Sequence, residues 1–269
     1  MPTLSIGMAT HCDLDGVFFT IQSLRMHHHL PKQTEFIVVD NYGCITTRDF
    51  MTSIGGVYVT FGKNTGTSAP RNQVFNIAKN DIVLCLDCHV LMADGSIDAL
   101  LRYFDANPDD KSLIQGPMLY DDLKFHYTHF DPIWRDHMWG VWGCDKRGNG
   151  TVPFDIPMQG LGLFCCQKSA WLGFNRNFRG FGGEEGYIHE KFRQAGRRCL
   201  CLPQLRWLHR FWRPDGVSYP LRIEDRVFNY FVGFIELGLD IAPIIEHFKP
   251  YITENKINDI LTEALSVKS

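Results

Sequence analysis

The feature that most constrains this chain is Ile82-Val83-Leu84-Cys85-Leu86-Asp87-Cys88-His89, an apolar run that stops at an acid and an imidazole two residues apart. A run of that length, bracketed by Asp81 and Asp87, reads as a strand buried on both faces of a parallel sheet, where alternation is lost. Chemistry then belongs at the strand's carboxyl end, because loops at that edge of an open α/β sheet converge on a cleft. If the chain stays extended for two more residues, Asp87 and His89 point the same way. A hard carboxylate oxygen beside an imidazole nitrogen suits Mn²⁺ or another divalent ion that bridges to phosphate. The plainer alternative is an Asp that forms a turn and a His with a structural role.

Further strands of the same kind flank this one. Leu4 to Ala9 is a first buried strand ending at Thr10-His11-Cys12, and Phe36 to Val39 is a second, closed by Asp40-Asn41-Tyr42-Gly43. Between them, Asp13 to Gly16 can start a helix with Val17, Ile21 and Leu24 on one face. Gly56 to Phe61 predicts a third strand, Gly62 to Ser68 a loop, and Pro70 onward a helix with Pro in its first turn. A helix over Asp94 to Phe104 and a strand at Leu113 to Gln115 continue the alternation of a doubly wound, nucleotide-binding layout. Phe125 to Pro157, dense in Trp, His, Tyr, Gly and Pro, predicts a long irregular excursion. Trp134, Trp139 and Trp142 either form a stacking platform there or cover their own hydrophobic ground. Strands at Gly160 to Cys166 and Leu200 to Leu202, and helices at Leu221 to Leu237 and Ile257 to Leu265, complete the pattern. No repeat and no linker interrupts it.

Several polar residues fall where such a layout binds ligands. Asp40, at the tip of the second strand, can accept hydrogen bonds from a nucleoside, although Asp-Asn-x-Gly is equally good turn chemistry. Arg71 falls in a helix's first turn, a poor place for a cation unless a phosphate or an acid faces it; otherwise it is a solvated surface residue. In Phe181-Gly182-Gly183-Glu184-Glu185, two glycines let the backbone approach a ligand and two carboxylates ionise readily at a helix N-terminus. Arg210 to Pro220, with Arg213, Gly216 and Tyr219, has the look of a mobile segment.

Charge narrows the function classes. With 27 Lys and Arg against 30 Asp and Glu, no global field draws the chain to nucleic acid or an anionic membrane. Met1 to Gly7 has no basic region leading into a long apolar stretch, and no run reaches the roughly 18 residues of a membrane span. With nine cysteines, an odd number, the thiols are expected to be reduced and the protein cytoplasmic. Cys85 and Cys88 form a lone C-x-x-C without the second pair of a four-thiolate zinc site.

Together these residues resemble the GT-A nucleotide-sugar glycosyltransferases, and within them the catalytic domain of the polypeptide N-acetylgalactosaminyltransferases, over roughly Leu4 to Tyr230. The resemblance implies a Rossmann-like, mixed but mostly parallel sheet flanked by helices. It implies one domain over 1–269, with a nucleotide-binding half at about 1–120 and an acceptor and lid half at about 121–269. It also implies that Asp87, His89 and the later His209 hold the Mn²⁺ of a UDP-sugar, and that Asp40 and Arg71 hold its uridine end. Thr10, Asn41, Cys88, Gly183, Arg210, Arg213 and Tyr219 join the expected substrate-binding set, with the Arg210–Pro220 segment as a lid. Glu184 would hold donor hydroxyls, and Glu185 would face the acceptor as orienter or base. Phe181, Glu185 and Trp212 depart from the family's usual Trp, Asn and Arg.

The expected reaction is metal-dependent sugar transfer with retention, to an acceptor left open among protein, glycan and modified DNA. A nucleotidyltransferase on a similar sheet and a non-catalytic sugar- or nucleic-acid-binding module are the rival readings.

Overall fold

A computed structural model describes residues 2–212, 216–217 and 219–267. Strand and helix alternate at first: β1 (Leu4–Thr10), α1 (Leu14–His27), β2 (Glu35–Asp40), α2 (Ile45–Ser53), β3 (Val57–Thr60), α3 (Ser68–Ile77) and β4 (Ile82–Asp87). All four strands are parallel, in the order β3-β2-β1-β4. Parallel neighbours need crossovers, and the crossover helices cover the sheet, which is why Leu4, Ile6, Met8, Val38, Val39 and Leu84 are all fully buried. The helix α2 escapes the sequence reading because only Thr47 and Met51 of its nine residues are buried, too thin an apolar stripe to show a period.

The chain continues through β5 (Val90–Met92), α4 (Ser96–Ala106), β6 (Leu113–Gln115), β7 (Met118–Leu119), β8 (His126–Tyr127), β9 (His129–Arg135), β10 (Met138–Gly143), β11 (Phe154–Asp155) and β12 (Leu163–Gln167). After these come α5 (Glu184–Gln194), β13 (Cys199–Cys201), β14 (Trp207–His209), α6 (Ile223–Leu237), α7 (Ala242–Phe248) and α8 (Glu254–Ser266). Strand β12 runs antiparallel to both β4 and β6, and β13 is parallel to β6, giving an eight-stranded sheet in the order β11-β13-β6-β12-β4-β1-β2-β3. This is the mixed, mostly parallel sheet that the family resemblance implies. The short helix α7 was not anticipated.

The stretch from Phe125 to Pro157 is more regular than expected, since β9 and β10 pair as an antiparallel hairpin turning at Asp136, whose φ is +52°. Its tryptophans serve packing. Trp134 stacks on Trp139 at 5.9 Å and meets Tyr230 of α6 and Phe248 of α7 edge-on, while Trp142 stands edge-on to Phe130 at 4.3 Å. A backbone hydrogen bond from Trp139 to the Tyr230 hydroxyl, 2.8 Å, locks the hairpin to α6. Indoles in the hairpin fill the gap over α6 and α7.

A small second sheet, β5-β14-β7-β8, matters most for position. Strand β5 begins one residue after His89, and its antiparallel pairing with β14 sets His209 opposite Val90. The Arg210 amide then bonds the His89 carbonyl at 3.1 Å. Two histidines distant in sequence thereby meet at the end of β4. Among the described residues, no helix is long and apolar enough to cross a membrane.

Candidate active site

Register places three strand ends together: Ala9 pairs with Asp87 and Thr10 with Asp40, so two acids flank the tip of β1. Arg71, in the first turn of α3, is buried and bridges two carboxylates. Its Nη2 donates to Asp87 Oδ1 and its Nη1 to Glu184 Oε1, each at 3.0 Å. The acidic partner anticipated for a cation at that helix end is therefore Asp87 together with Glu184, and the solvated-surface alternative fails. The Thr67 hydroxyl donates to the same Glu184 oxygen at 2.7 Å. Glu184 opens α5, where a carboxylate meets the positive end of the helix dipole. Its other oxygen, Oε2, is buried and has no hydrogen bond among the described residues.

Beside this bridge lie the imidazoles. His89 Nε2 and His209 Nε2 are 3.2 Å apart, and His209 Nε2 is 3.3 Å from Asp87 Oδ2. Two nitrogens so close cannot both carry a proton, so at least one presents a lone pair. Ligand atoms about 2.1 Å from one ion on adjacent octahedral corners stand about 3 Å apart, which matches these spacings. Asp13 steers the pair: its Oδ2 lies 3.4 Å from His89 Nδ1 while its Oδ1 accepts the Gly16 amide at 2.9 Å as the N-cap of α1. Holding the proton on Nδ1 turns Nε2 toward Asp87 and His209 as an acceptor, the usual outer-sphere arrangement for a metal-binding histidine.

Electrostatics point the same way. Burial would raise the Asp87 carboxyl, but Arg71, His209 and His89 reverse this and hold it well below the ordinary range. The Asp13 carboxyl is drawn down to about 2, chiefly by its hydrogen bond to His89. Glu185 is buried too, and burial followed by the Glu184 charge raises it well above an ordinary carboxyl, outweighing its own amide and the charges of Arg71 and Arg226. Against Asp87 and Glu184 stands the single guanidinium of Arg71, a net negative charge in a buried site that a divalent cation would offset. Both donor chemistry and charge fit a divalent ion held by Asp87, His89 and His209, whose ligand atoms all lie within 4.8 Å of one another.

Other residues expected to bind substrate fall into different settings. Asp40 is fully buried, and its four acceptor positions take the amides of Cys12, Tyr42 and Cys44 and the Tyr58 hydroxyl, at 2.8 to 3.4 Å. It ties loops together, as the turn reading allowed. Asn41 is likewise engaged, donating to Gly66 and accepting from Thr65, which pins the Gly62–Ser68 loop. The Thr10 hydroxyl accepts the Asp13 amide. Cys88 is buried and packs with Met8, Val17 and Ile21 beneath α1, while its sulfur lies 3.6 Å from Asp13 Oδ2 and 3.5 Å from His89 Nδ1, beside the Asp13–His89 pair. At Gly183, φ is +91° and a Cβ would come within 3.0 Å of Asn229 on α6, so the close approach made there is to a helix.

Arg210 is exposed directly after His209. Tyr219 meets His11 at 5.8 Å and Phe181 at 6.1 Å, on the side where His11 also faces Tyr42. Arg213 lies outside the described residues. Sequence reasoning missed Asp13, Thr67 and Tyr58. The sequence marks Asp13 only as a helix start, since no local signal distinguishes a cap that also reaches a histidine across the sheet.

Comparison with known proteins adds to this geometry. The fold is similar to a structure of GalNAc-T7 with UDP, GalNAc and Mn²⁺, with a TM-score of 0.69 and 14% identity over 99% of this chain. This chain spans 57% of the length of that one. It is also similar to the mannosyltransferase PcManGT from Pyrobaculum calidifontis in complex with GDP-Man and Mn²⁺, TM-score 0.62 and 13% identity, over 100% of this chain and 76% of that one. A third likeness is to S. aureus TarS residues 1–349 with UDP-GlcNAc, TM-score 0.59 and 13% identity, over 98% of this chain and 71% of that one. No curated protein sequence matches the chain. The model of glycosyl transferase family 2 matches residues 5–162, more than half of the sequence, from β1 through the Asp87 strand to the start of β12, and the chain belongs to that family.

Proposed function

We propose that this protein transfers a sugar from a nucleoside diphosphate sugar, a UDP-sugar first, to an acceptor, with Asp87, His89 and His209 holding Mn²⁺ or a similar ion. The observation that carries this reading is the buried Asp87–Arg71–Glu184 bridge set against two imidazoles, with one Glu184 oxygen buried and unmet. A bound divalent ion would supply the positive charge that stabilises a leaving diphosphate. Arg71 keeps Asp87 ionised and fixes the direction of its free oxygen. Asp13 holds the proton on His89 Nδ1 and so leaves Nε2 as a lone-pair donor. Glu184 Oε2 accepts a donor sugar hydroxyl, which ends its isolation. Arg210, and Arg213 in the same segment, contact the diphosphate, and Tyr219 with Tyr42 lines the nucleoside end. The GalNAc-T7, PcManGT and TarS structures were each solved with a nucleotide or nucleotide sugar, and the first two with Mn²⁺.

Retention of the donor's anomeric configuration follows from the resemblance to the N-acetylgalactosaminyltransferases. Inversion is the second reading, and one observation favours it. Glu185 is buried beside Glu184 with its proton affinity raised, the condition of a carboxylate poised as a general base.

Thermal shift with UDP and GDP, each with Mn²⁺ and with chelator, tests the metal and the nucleotide together. Stabilisation by UDP that needs Mn²⁺ is the expected result, and equal stabilisation in chelator would refute the metal assignment. Sugar nucleotides giving a shift are then turned over without acceptor and with protein, glycan and modified-DNA acceptors, and NMR of the product's anomeric proton reads the stereochemistry. Release of pyrophosphate or free sugar phosphate in place of UDP would instead support nucleotidyl transfer.

A further inference from the structure

His89 has two ring nitrogens, and the candidate manganese centre uses only Nε2. The other, Nδ1, faces a second group of donors under the start of α1. Asp13 Oδ2 lies 3.4 Å from Nδ1 and Cys88 Sγ lies 3.5 Å from it, while the sulfur and that oxygen are 3.6 Å apart. Asp13, Cys88 and His89 thus form a cluster of their own, which shares only the His89 ring with Asp87 and His209. Backbone contacts build it. A Cβ at Gly16 would come within 2.5 Å of the Cys88 carbonyl, so the absence of a side chain there lets α1 press its N-cap against the end of β4. The Thr20 hydroxyl lies 3.2 Å from the same carbonyl and accepts the Val90 amide at 3.1 Å, which pins α1 to this turn.

The triangle has the edges of a zinc site. Zinc bonded at about 2.3 Å to sulfur and about 2.0 to 2.2 Å to nitrogen and oxygen, at tetrahedral angles, sets its ligand atoms about 3.3 to 3.7 Å apart. All three edges fall in that range. Right-angled octahedral corners would instead bring sulfur and nitrogen to about 3.1 Å at the same bond lengths. A thiolate is a soft ligand that suits zinc and not Mn²⁺, whereas Asp87 and His209 offer only oxygen and nitrogen. Asp13 keeps Oδ1 on the Gly16 amide and turns Oδ2 into the cluster. Its side chain is 27% exposed, which leaves a way in from solvent and a fourth position for water. Cys85, the other half of the C-x-x-C, is fully buried within β4 and takes no part.

We propose that Asp13, Cys88 and His89 Nδ1 bind zinc, and that zinc held there opposes Mn²⁺ at Asp87, His89 and His209. Zinc binding releases the thiol proton to solvent, and the carboxylate and thiolate together balance the charge of the ion. The imidazole stays neutral, its one proton leaving Nδ1 and standing on Nε2. That nitrogen, 3.2 Å from His209 Nε2, then has no lone pair to give, and the manganese centre loses a ligand. Coupling of two binding events is reciprocal, so Mn²⁺ weakens zinc by the same factor. The antagonism rests on the manganese reading; the zinc site does not.

The whole chain, stripped with chelator and dialysed, is titrated with Co²⁺ and with Zn²⁺, each alone. Co²⁺ should give a thiolate-to-cobalt charge-transfer band that one equivalent of Zn²⁺ bleaches. Zinc-edge X-ray absorption should show one sulfur at about 2.3 Å beside lighter ligands at about 2.0 to 2.2 Å. Cys88→Ala should lose both the band and the sulfur, and the wild-type spectra decide the question even if that variant does not fold. Mn²⁺ binding, followed by the EPR signal of the free ion, should be at least about tenfold weaker in protein carrying one equivalent of Zn²⁺ than in zinc-free protein. A zinc shell of nitrogen and oxygen alone, or a sulfur that persists in Cys88→Ala, overturns the site. A sulfur-ligated zinc with unchanged Mn²⁺ affinity overturns the antagonism. If Mn²⁺ fails to bind even the zinc-free protein while sulfur-ligated zinc is seen, the manganese reading falls and the zinc site stands.

Discussion

Asp40 and Asp87 occupy matching places, each closing a parallel strand beside β1, yet their surroundings differ completely. Asp40 is sealed, with three backbone amides and a phenol filling its two oxygens. Asp87 gives one oxygen to Arg71 and turns the other toward two imidazoles. The first carboxylate is saturated by neutral donors and organises loops. The second is held ionised by a charge and turns an oxygen to two imidazoles, the setting of the proposed metal ligand. The same residue at the same kind of strand end is thus closed off or left able to take a ligand according to what fills its acceptor positions.

The sharpest way to break the comparison is Asp87→Asn. Transfer should fall by about 10³-fold or more, because the diphosphate would lose its counter-charge, and Mn²⁺ titration should show the ion no longer held. Asp40→Asn should do the reverse. An amide NH₂ facing amide donors leaves about two of them unmet, costing about 3 kcal/mol and lowering the melting temperature by roughly 6–12 °C. Mn²⁺ affinity of the folded protein should stay within about threefold. A large loss of affinity with an unchanged melting temperature would invert the two roles.

Smaller effects sharpen it. Asp13→Asn keeps an acceptor for the Gly16 amide but loses the carboxylate on His89, and should weaken Mn²⁺ about 10- to 100-fold by calorimetry. An unaltered affinity would show that Asp13 does not orient His89. The same pair sets a pH dependence. Asp13 titrates at about 2 when folded against an ordinary 3.8, so the unfolded chain binds more protons between those values. Its stabilisation is complete above about pH 4 and is lost as pH falls through about 2. Allowing for its partial exposure, the wild type should exceed Asp13→Asn by about 1 kcal/mol at neutral pH in urea unfolding, a gap that closes at low pH. Tyr58→Phe removes one donor from Asp40 and should cost about 1 kcal/mol while leaving Mn²⁺ affinity unchanged.

Much of the sheet was legible because burial on both faces writes itself locally, as the unbroken apolar runs of β1, β2 and β4. The helices α2 and α7 and the β9–β10 hairpin were not, since few of their residues follow a readable period. The strand-end acids, the Asp-x-His and the Gly-Gly-Glu-Glu turn stand out in the residues themselves, and His209 through family likeness.

What the sequence by itself determined is therefore where acids and imidazoles meet strand ends and helix starts, since backbone geometry within a single element fixes those positions. Only the tertiary structure decided that Arg71 ties Asp87 to Glu184, that Asp13 reaches His89, and that Asp40 is filled while Asp87 is not. Each of these depends on which donor from a distant element reaches an acceptor first. A buried oxygen's role is set by the hydrogen bonds and charges around it, and those partners come together only when the strands take their register.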